Sequence, residues 1–303
     1  MDILSQHYSH VSMVNVDTVD DMTALITRNP DLVFSGIYYV TNESTGAKIW
    51  LSTELEKHGI AYTGSDKFAN RLSLNKNLAK EQLQTHGIKT ASFKLSSRLD
   101  ASTFDEKGLN FPLFVKPNNK SGGQGIDEFS IVRSSAQLLS KISSIHTRHS
   151  TDALVEEYLE GREFSVAVIT NALTGQLTAL PLEIIATKDS NGERMLGNVI
   201  KNLNIETSLM VEDANEHLDL SAFAIDAFTA LGGRNYGRID VRLDQNGTIN
   251  FLEANLIPGL IGEDNYFPKA YRLNLGLDTE SMLLHIVDLA LNGESKKIIP
   301  VGV

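Results

Sequence analysis

Apolar and polar positions change period several times along the chain, and each change predicts an element. From Asp17 to Arg28, an acidic start and spaced apolar residues predict a helix, and DLVFSG after it reads as a buried strand. Lys48 to His58 predicts a second helix closed by Gly59, with a short strand in IAYTGS behind it. Leu72 to His86 predicts a third helix ending at Gly87. Extended runs then take over in PLFVKP, DALVEEYL and EFSVAVIT, with a helix near Ser135 to Ile145 between them. The last third holds a long amphipathic helix, Ala214 to Leu231, two strands in GRIDVRLD and TINFLEAN, and a closing helix from Glu280 to Leu291. This order implies an α/β unit followed by α+β material with an antiparallel sheet. There is no internal repeat or low-complexity segment.

With 303 residues the chain exceeds what one core usually serves, about 250 to 300 residues, so more than one packed unit is expected. Apolar content of 42% and charged content of 21% are those of a soluble globular protein, and no segment is long and apolar enough to cross a bilayer. MDILSQHYSH lacks the basic start and apolar stretch of a secretory signal, so a cytoplasmic location is the expectation. The absence of cysteine removes disulfides, thiolate metal sites and cysteine nucleophiles, and any metal must be held by oxygen or imidazole. A net charge of -11, with no basic run longer than Lys296-Lys297, argues against a nucleic-acid partner. The pairs His7/His10 and His146/His149 have metal-like spacing but no completing carboxylates, and read as surface features.

Chemistry concentrates in two stretches. In VKPNNKSGGQGI, Lys116 ends an apolar run and precedes Gly122, Gly123 and Gly125. A Walker A loop would place its lysine after the glycines, and a dinucleotide fingerprint would need a third glycine where Glu128 stands. What remains is a strand that delivers a cation to a turn whose N–H groups can close over phosphate oxygens. The competing reading is a solvated hairpin with Lys116 pointing outward.

The second stretch is GRIDVRLDQNGTINFLEAN, where Asn246-Gly247 between alternating runs predicts a hairpin. A two-residue turn there sets Asp240 opposite Glu253 and Arg238 opposite Asn255, all on one face, with Ile239, Val241, Leu252 and Ala254 on the other. Adjacent carboxylates with an amide oxygen suit a hard cation such as Mg²⁺ shared with substrate phosphates. Alternatively, Asp240 and Glu253 pair with Arg238 and Arg242 on a solvent-facing sheet.

The order of these elements resembles the ATP-grasp superfamily: Lys76 in SLNKNLAKEQL, Lys116 before its glycine loop, EEYLEGREFSVAV from Glu156, then GRIDV and FLEANLIPG. Within it the chain is similar to the D-alanine-D-alanine ligases from about Tyr62 to Leu291. The resemblance implies a three-domain architecture with a small N-terminal α/β domain over 1–75, a central ATP-binding subdomain over 76–160, and a C-terminal subdomain over 161–303. It implies ATP as cofactor, with Lys76, Lys116 and the loop Ser121, Gly122, Gly123 and Gly125 on the phosphates. Glu156, Glu157, Tyr158 and Leu159 form a hinge at adenine, with Leu252 also at the nucleotide and Glu163 on the ribose. Asp240, Glu253 and Asn255 hold two Mg²⁺ ions, for which Mn²⁺ can stand in, while Arg238 stabilises developing charge and Lys201 reaches the γ-phosphate. Gly259, Asn265 and Tyr266 belong to the substrate site. The implied reaction forms an amide through an acyl phosphate from small amino-acid or carboxylate substrates, and the resemblance also suggests a homodimer.

The departures gather at the substrate end. The family's N-terminal glycine-rich turn with its ammonium-binding glutamate has no counterpart in MDILSQHYSH, and SGIYYVTNESTGAK replaces the HGxxGEDG segment. Gly122 stands where the ligases have a serine, Asn202 where they have a tyrosine, and ANLIPGLIGEDNYFP is one residue longer than its counterpart. The expectation is a ligase with retained ATP chemistry and non-D-alanine specificity, with Tyr38, Tyr39 and Tyr266 available to line its pocket. A divergent D-alanine-D-alanine ligase and a catalytically silent ATP-binding module are the alternatives.

Overall fold

Two small sheets gather the first part of the chain in the computed structural model, which describes residues 2–97, 104–188, 192–195, 197, 206–262 and 264–294. β1 (Leu32–Val33) and β4 (Ala61–Tyr62) pair in parallel, and β2 (Tyr39–Thr41) and β3 (Lys48–Trp50) pair antiparallel. Helices α2 (Val19–Thr27) and α3 (Leu51–Lys57) close this unit over Met22, Leu55 and Tyr62. α2 starts where Thr18 and Asp21 cap each other reciprocally. The helix expected from Lys48 begins only at Leu51, because Lys48–Trp50 pairs with β2 instead. α1 (Asp2–His7) packs elsewhere: Ile3 and Leu4 join the cluster around Tyr236, Phe267 and Met282, and His7 Nε2 meets Glu280 at 2.8 Å.

The single helix expected over Leu72 to His86 is two, α4 (Lys67–Ser73) and α5 (Lys76–Thr85). Asn75 is extended, and its Oδ1 accepts from the Leu78 N–H, which ends one helix and caps the next.

A four-stranded antiparallel sheet follows, ordered β5-β8-β6-β7, from β5 (Phe93–Ser96), β6 (Leu113–Pro117), β7 (Ile131–Val132) and β8 (Ala153–Glu157). α6 (Ser135–His149) buries Leu138, Ile142 and Ile145 against Val115 and Val155. His146 is buried rather than exposed, with Nε2 3.2 Å from the Ser96 carbonyl. It falls one turn from Ile142 on the apolar face, a placement that its spacing to His149 concealed.

The largest sheet is five-stranded and antiparallel, ordered β11-β10-β9-β12-β13, from β9 (Glu163–Thr170), β10 (Leu177–Ile185), β11 (Thr207–Met210), β12 (Tyr236–Leu243) and β13 (Ile249–Asn255). α7 (Ala214–Ala230) and α5 cover one face through Phe164, Phe228, Val241 and Phe251. α8 (Tyr266–Leu275) and α9 (Thr279–Glu294) cover the other through Ile169, Leu182, Phe267 and Met282. Among the described residues no helix is long and apolar enough to cross a membrane.

The β12–β13 hairpin pairs Asp240 with Glu253 and Arg238 with Asn255 as expected, by a different route. The turn has three residues, since Asp244 rather than Gln245 faces Thr248, with the Asp244 N–H donating to the Thr248 carbonyl at 2.9 Å. A register shift then follows: Val241 opposes Phe251 while Asp240 opposes Glu253, so Leu252 is the extra residue of a bulge. The bulge cancels the longer turn. It also turns Leu252 onto the cleft beside Glu253, correcting its expected place on the core face. Phe251 is fully buried where the bulge begins. Phe251→Ala should therefore lower stability by about 3–5 kcal/mol, measured by urea unfolding followed by far-ultraviolet circular dichroism.

Candidate functional site

The four-stranded sheet and the β12–β13 hairpin face each other across a cleft lined by Lys116, Glu156, Tyr158, Asp240, Leu252 and Glu253. Two elements bring buried lysines to Glu156 and Glu253. β6 carries Lys116, and α5 carries Lys76 and Lys80 one turn apart on a single face. Glu156, only 2% exposed at the end of β8, meets Lys116 Nζ at 2.6 Å and Lys80 Nζ at 2.9 Å. Lys80 also donates to Thr90 Oγ1 and, at 3.3 Å, to the Phe251 carbonyl, so one ammonium ties α5, β8 and β13 together. Burial works against the charge of Glu156, but Lys116 and Lys80 outweigh it and hold its carboxyl below the usual range. Burial lowers the pKa of Lys76 and of Lys80, against the pull of Glu253 and Glu156 respectively.

Lys76 opens α5, with its Nζ 3.2 Å from Glu253 and 2.5 Å from the Lys120 carbonyl. Asn118 locks this corner: its carbonyl accepts from the Lys76 N–H at 3.1 Å and its Oδ1 from the Asn77 N–H at 2.9 Å. The glycine loop begins at this corner. Gly122, Gly123 and Gly125 all have positive φ, and a Cβ on Gly125 would fall 2.5 Å from Pro117 Cγ. Ser121 is exposed, and its carbonyl accepts from Gln124 at 3.3 Å. Lys141, unforeseen from sequence, fixes the far end through Asp127 at 2.6 Å and the Gly125 carbonyl at 3.0 Å.

On β12, Arg238 clamps Asp240 through two bonds of 2.9 and 2.8 Å, and Ser165 donates to Asp240 at 2.7 Å. Burial opposes the Arg238 charge, but the Asp240 carboxylate more than compensates and raises its pKa. Asp240 is 6% exposed, so the alternative of a solvent-facing lattice does not hold; its pairing with Arg238 forms inside the cleft. Arg242 instead meets Glu163 at 3.4 Å and the Tyr158 hydroxyl at 3.1 Å. Tyr158 stacks on Phe114 with centroids 6.3 Å apart, and with Leu159, Leu252 and Met195 it gives the cleft a half-apolar end. The Glu156 backbone lies in the ladder between β5 and β6, and the Glu157 carboxylate holds Asn110, so Tyr158 and Leu159 are the first residues past the ladder.

At the other end, the Asn255 Oδ1 accepts from the Ile257 N–H at 3.2 Å and from the Tyr38 hydroxyl at 3.3 Å. Asp240, Glu253 and Asn255 form an oxygen-only set that suits Mg²⁺. Among the described residues no three His, Asp or Glu side chains converge, so bound phosphate oxygens would have to complete the coordination. Tyr266 lies with its ring 5.4 Å from the Arg238 guanidinium. Gly259 is pressed against the Asn265 side chain, which leaves no room there for a Cβ. Tyr39 meets Trp50 in a tilted ring contact at 5.3 Å and does not line the cleft. Lys201 and Asn202 lie outside the described residues. Lys80 was missed although its signal was present: a second lysine one turn after Lys76, on the apolar side of the helix.

Two facing antiparallel sheets, with a lysine-led glycine loop on one and a carboxylate hairpin on the other, define the ATP-grasp architecture. The D-alanine-D-alanine ligase of Bacillus anthracis solved with ATP shares this fold at a TM-score of 0.71 and 21% identity, over 92% of this chain and 86% of that one. The D-ala D-ala ligase C-terminus model matches residues 58–288, and the chain belongs to that family of ATP-dependent carbon-nitrogen ligases. Among its relatives, the uncharacterized protein y4sG of Sinorhizobium fredii is 31% identical over 78% of this chain and 68% of its own length. The D-alanine-D-alanine ligase of Cupriavidus metallidurans is 28% identical over 78% of this chain and 69% of its own.

Glu156→Gln should lower stability by about 3 kcal/mol at neutral pH, because two buried ammoniums lose their counter-charge. The folded carboxyl pKa is depressed, so the wild-type advantage is complete above the unfolded value near 4.3 and is lost as pH falls through the folded one. Urea midpoints measured from neutral to strongly acid pH should show the gap between wild type and variant closing only on the acid side.

Proposed function

We propose that the chain is an ATP-dependent ligase that joins a small carboxylate substrate to an amine, with substrates other than D-alanine. One observation carries this reading. Four buried or nearly buried cations, Lys76, Lys80, Lys116 and Arg238, meet three carboxylates, Glu156, Asp240 and Glu253, at the junction of the sheets. Among these seven groups one positive charge is in excess where burial makes that costly, and an anionic ligand relieves it.

Bound ATP would supply a γ-phosphoryl group that converts the carboxylate into an acyl phosphate open to an amine. Lys116 and Lys76 each have N–H bonds to spare for phosphate oxygens beside their carboxylate partners. The glycine loop would close its N–H groups over the same oxygens. Tyr158, Leu159 and Leu252, with backbone groups of the Glu156–Leu159 hinge, would hold adenine, and Glu163 the ribose. Asp240, Glu253 and Asn255 would hold two Mg²⁺ ions, or Mn²⁺ in their place, once Tyr38 releases the Asn255 oxygen. Arg238 is fixed by Asp240 and therefore pre-oriented toward charge that develops on the transferred group. Gly259, Asn265 and Tyr266 would line the acceptor side, and a homodimer is the proposed assembly.

Specificity other than D-alanine is supported by the substrate end. Tyr38 occupies the segment that replaces HGxxGEDG, and Gly122 has no side chain to order a substrate.

Purified protein with Mg-ATP and pools of amino acids, scored for phosphate release and for new amides by mass spectrometry, tests this reading. Amides from substrates other than D-alanine are expected. Products from D-alanine alone would overturn the specificity, and bound ATP without phosphate release in any pool would overturn the ligase. Arg238→Met should reduce turnover by about 10²–10³, the usual cost of one transition-state donor.

A further inference from the structure

Glu206 stands just before the edge strand β11, and its two oxygens have different surroundings. Oε1 accepts from the Tyr266 hydroxyl at 2.7 Å, whereas Oε2 is buried and meets no hydrogen-bond partner among the described residues. Tyr266 in turn opens α8, and its ring faces the Arg238 guanidinium at 5.4 Å. Three separate parts of the chain, the residue before β11, the start of α8 and β12, thus set a carboxylate and a guanidinium about one aromatic ring. Burial raises the pKa of the Tyr266 hydroxyl, as does its bond to Glu206, which keeps it a donor.

A buried acceptor left without a donor is destabilising, and more so when charged. Water reaches Oε2 poorly, so its natural partner is a ligand group that brings N–H bonds and positive charge. We propose that Glu206, held by Tyr266, receives the ammonium group of the amine substrate beside Arg238 and accepts one of its protons on Oε2, which leaves the neutral amine to attack the acyl phosphate as phosphate departs. The inference rests on the ligase reading above and adds the residue that selects a cationic acceptor. Tyr266 acts as a positioning residue, because its hydroxyl occupies one carboxylate oxygen and leaves the other for the substrate. A merely structural bond, pinning the start of α8 to β11, would treat charged and uncharged amines alike.

Hydroxylamine separates these cases, since it is largely uncharged at neutral pH and traps acyl phosphates as hydroxamates. Wild type and Glu206→Gln are compared with Mg-ATP and the amino-acid pool, with and without hydroxylamine, and Mg-ADP binding is measured by calorimetry. In Glu206→Gln, the KM for amino-acid amines should rise about 30-fold, roughly 2 kcal/mol. That loss should exceed the loss toward hydroxylamine at least tenfold, with Mg-ADP affinity retained. Equal losses toward both amines, or no loss toward either, overturn the assignment. If Glu206→Gln does not fold, Tyr266→Phe decides by the same comparison, with a smaller preferential loss expected. Wild type that forms neither amide nor hydroxamate defeats the ligase reading, and the Glu206 assignment with it, an outcome distinct from selective failure of the variant.

Discussion

The structure depends on the buried ion pairs of Glu156 with Lys80 and Lys116. Each group alone would be too costly to bury, and the three are tolerable only together. Because they stand on β8, α5 and β6, and Lys80 extends to the Phe251 carbonyl on β13, the charge requirement also fixes how the four-stranded sheet meets the hairpin. A shift of either sheet would strand a charge away from water. The cleft is therefore set in position by electrostatics as well as by the apolar clusters on its outer faces.

With that junction fixed, the two ends of the cleft differ in kind. The nucleotide end combines stacked Phe114 and Tyr158 with lysines held by carboxylates, an arrangement complementary to a ring system bearing phosphates. The substrate end sets Tyr38 against Asn255 and Tyr266 between Glu206 and Arg238. Under the proposed function, the nucleotide end supplies the shared chemistry and the substrate end the recognition, since function resides in sites placed on a fold.

Much of the nucleotide end was legible in the sequence because its signals are local. Alternation around Asn246-Gly247 paired Asp240 with Glu253, although a three-residue turn and the Leu252 bulge cancel rather than confirm the two-residue turn behind that pairing. Lys80 escaped because a lysine in a helix usually points to water, and only its carboxylate partner on a distant strand makes it a core residue. β10 escaped because Pro181 interrupts LTALPLEII. The proline is accommodated because β11 pairs only with Leu182 to Ile185, leaving Pro181 opposite Val166 alone. The Tyr266-Glu206 contact joins residues 60 apart through a turn of the fold that no local pattern encodes.

Calorimetric titration of AMP, ADP and a non-hydrolysable ATP analogue, each with Mg²⁺, into the wild-type protein tests the central claim that the excess buried charge exists to receive phosphates. Affinity should rise by about tenfold or more from AMP to ADP and again to the triphosphate, roughly 1.4 kcal/mol per step. Equal affinity for all three would contradict the account.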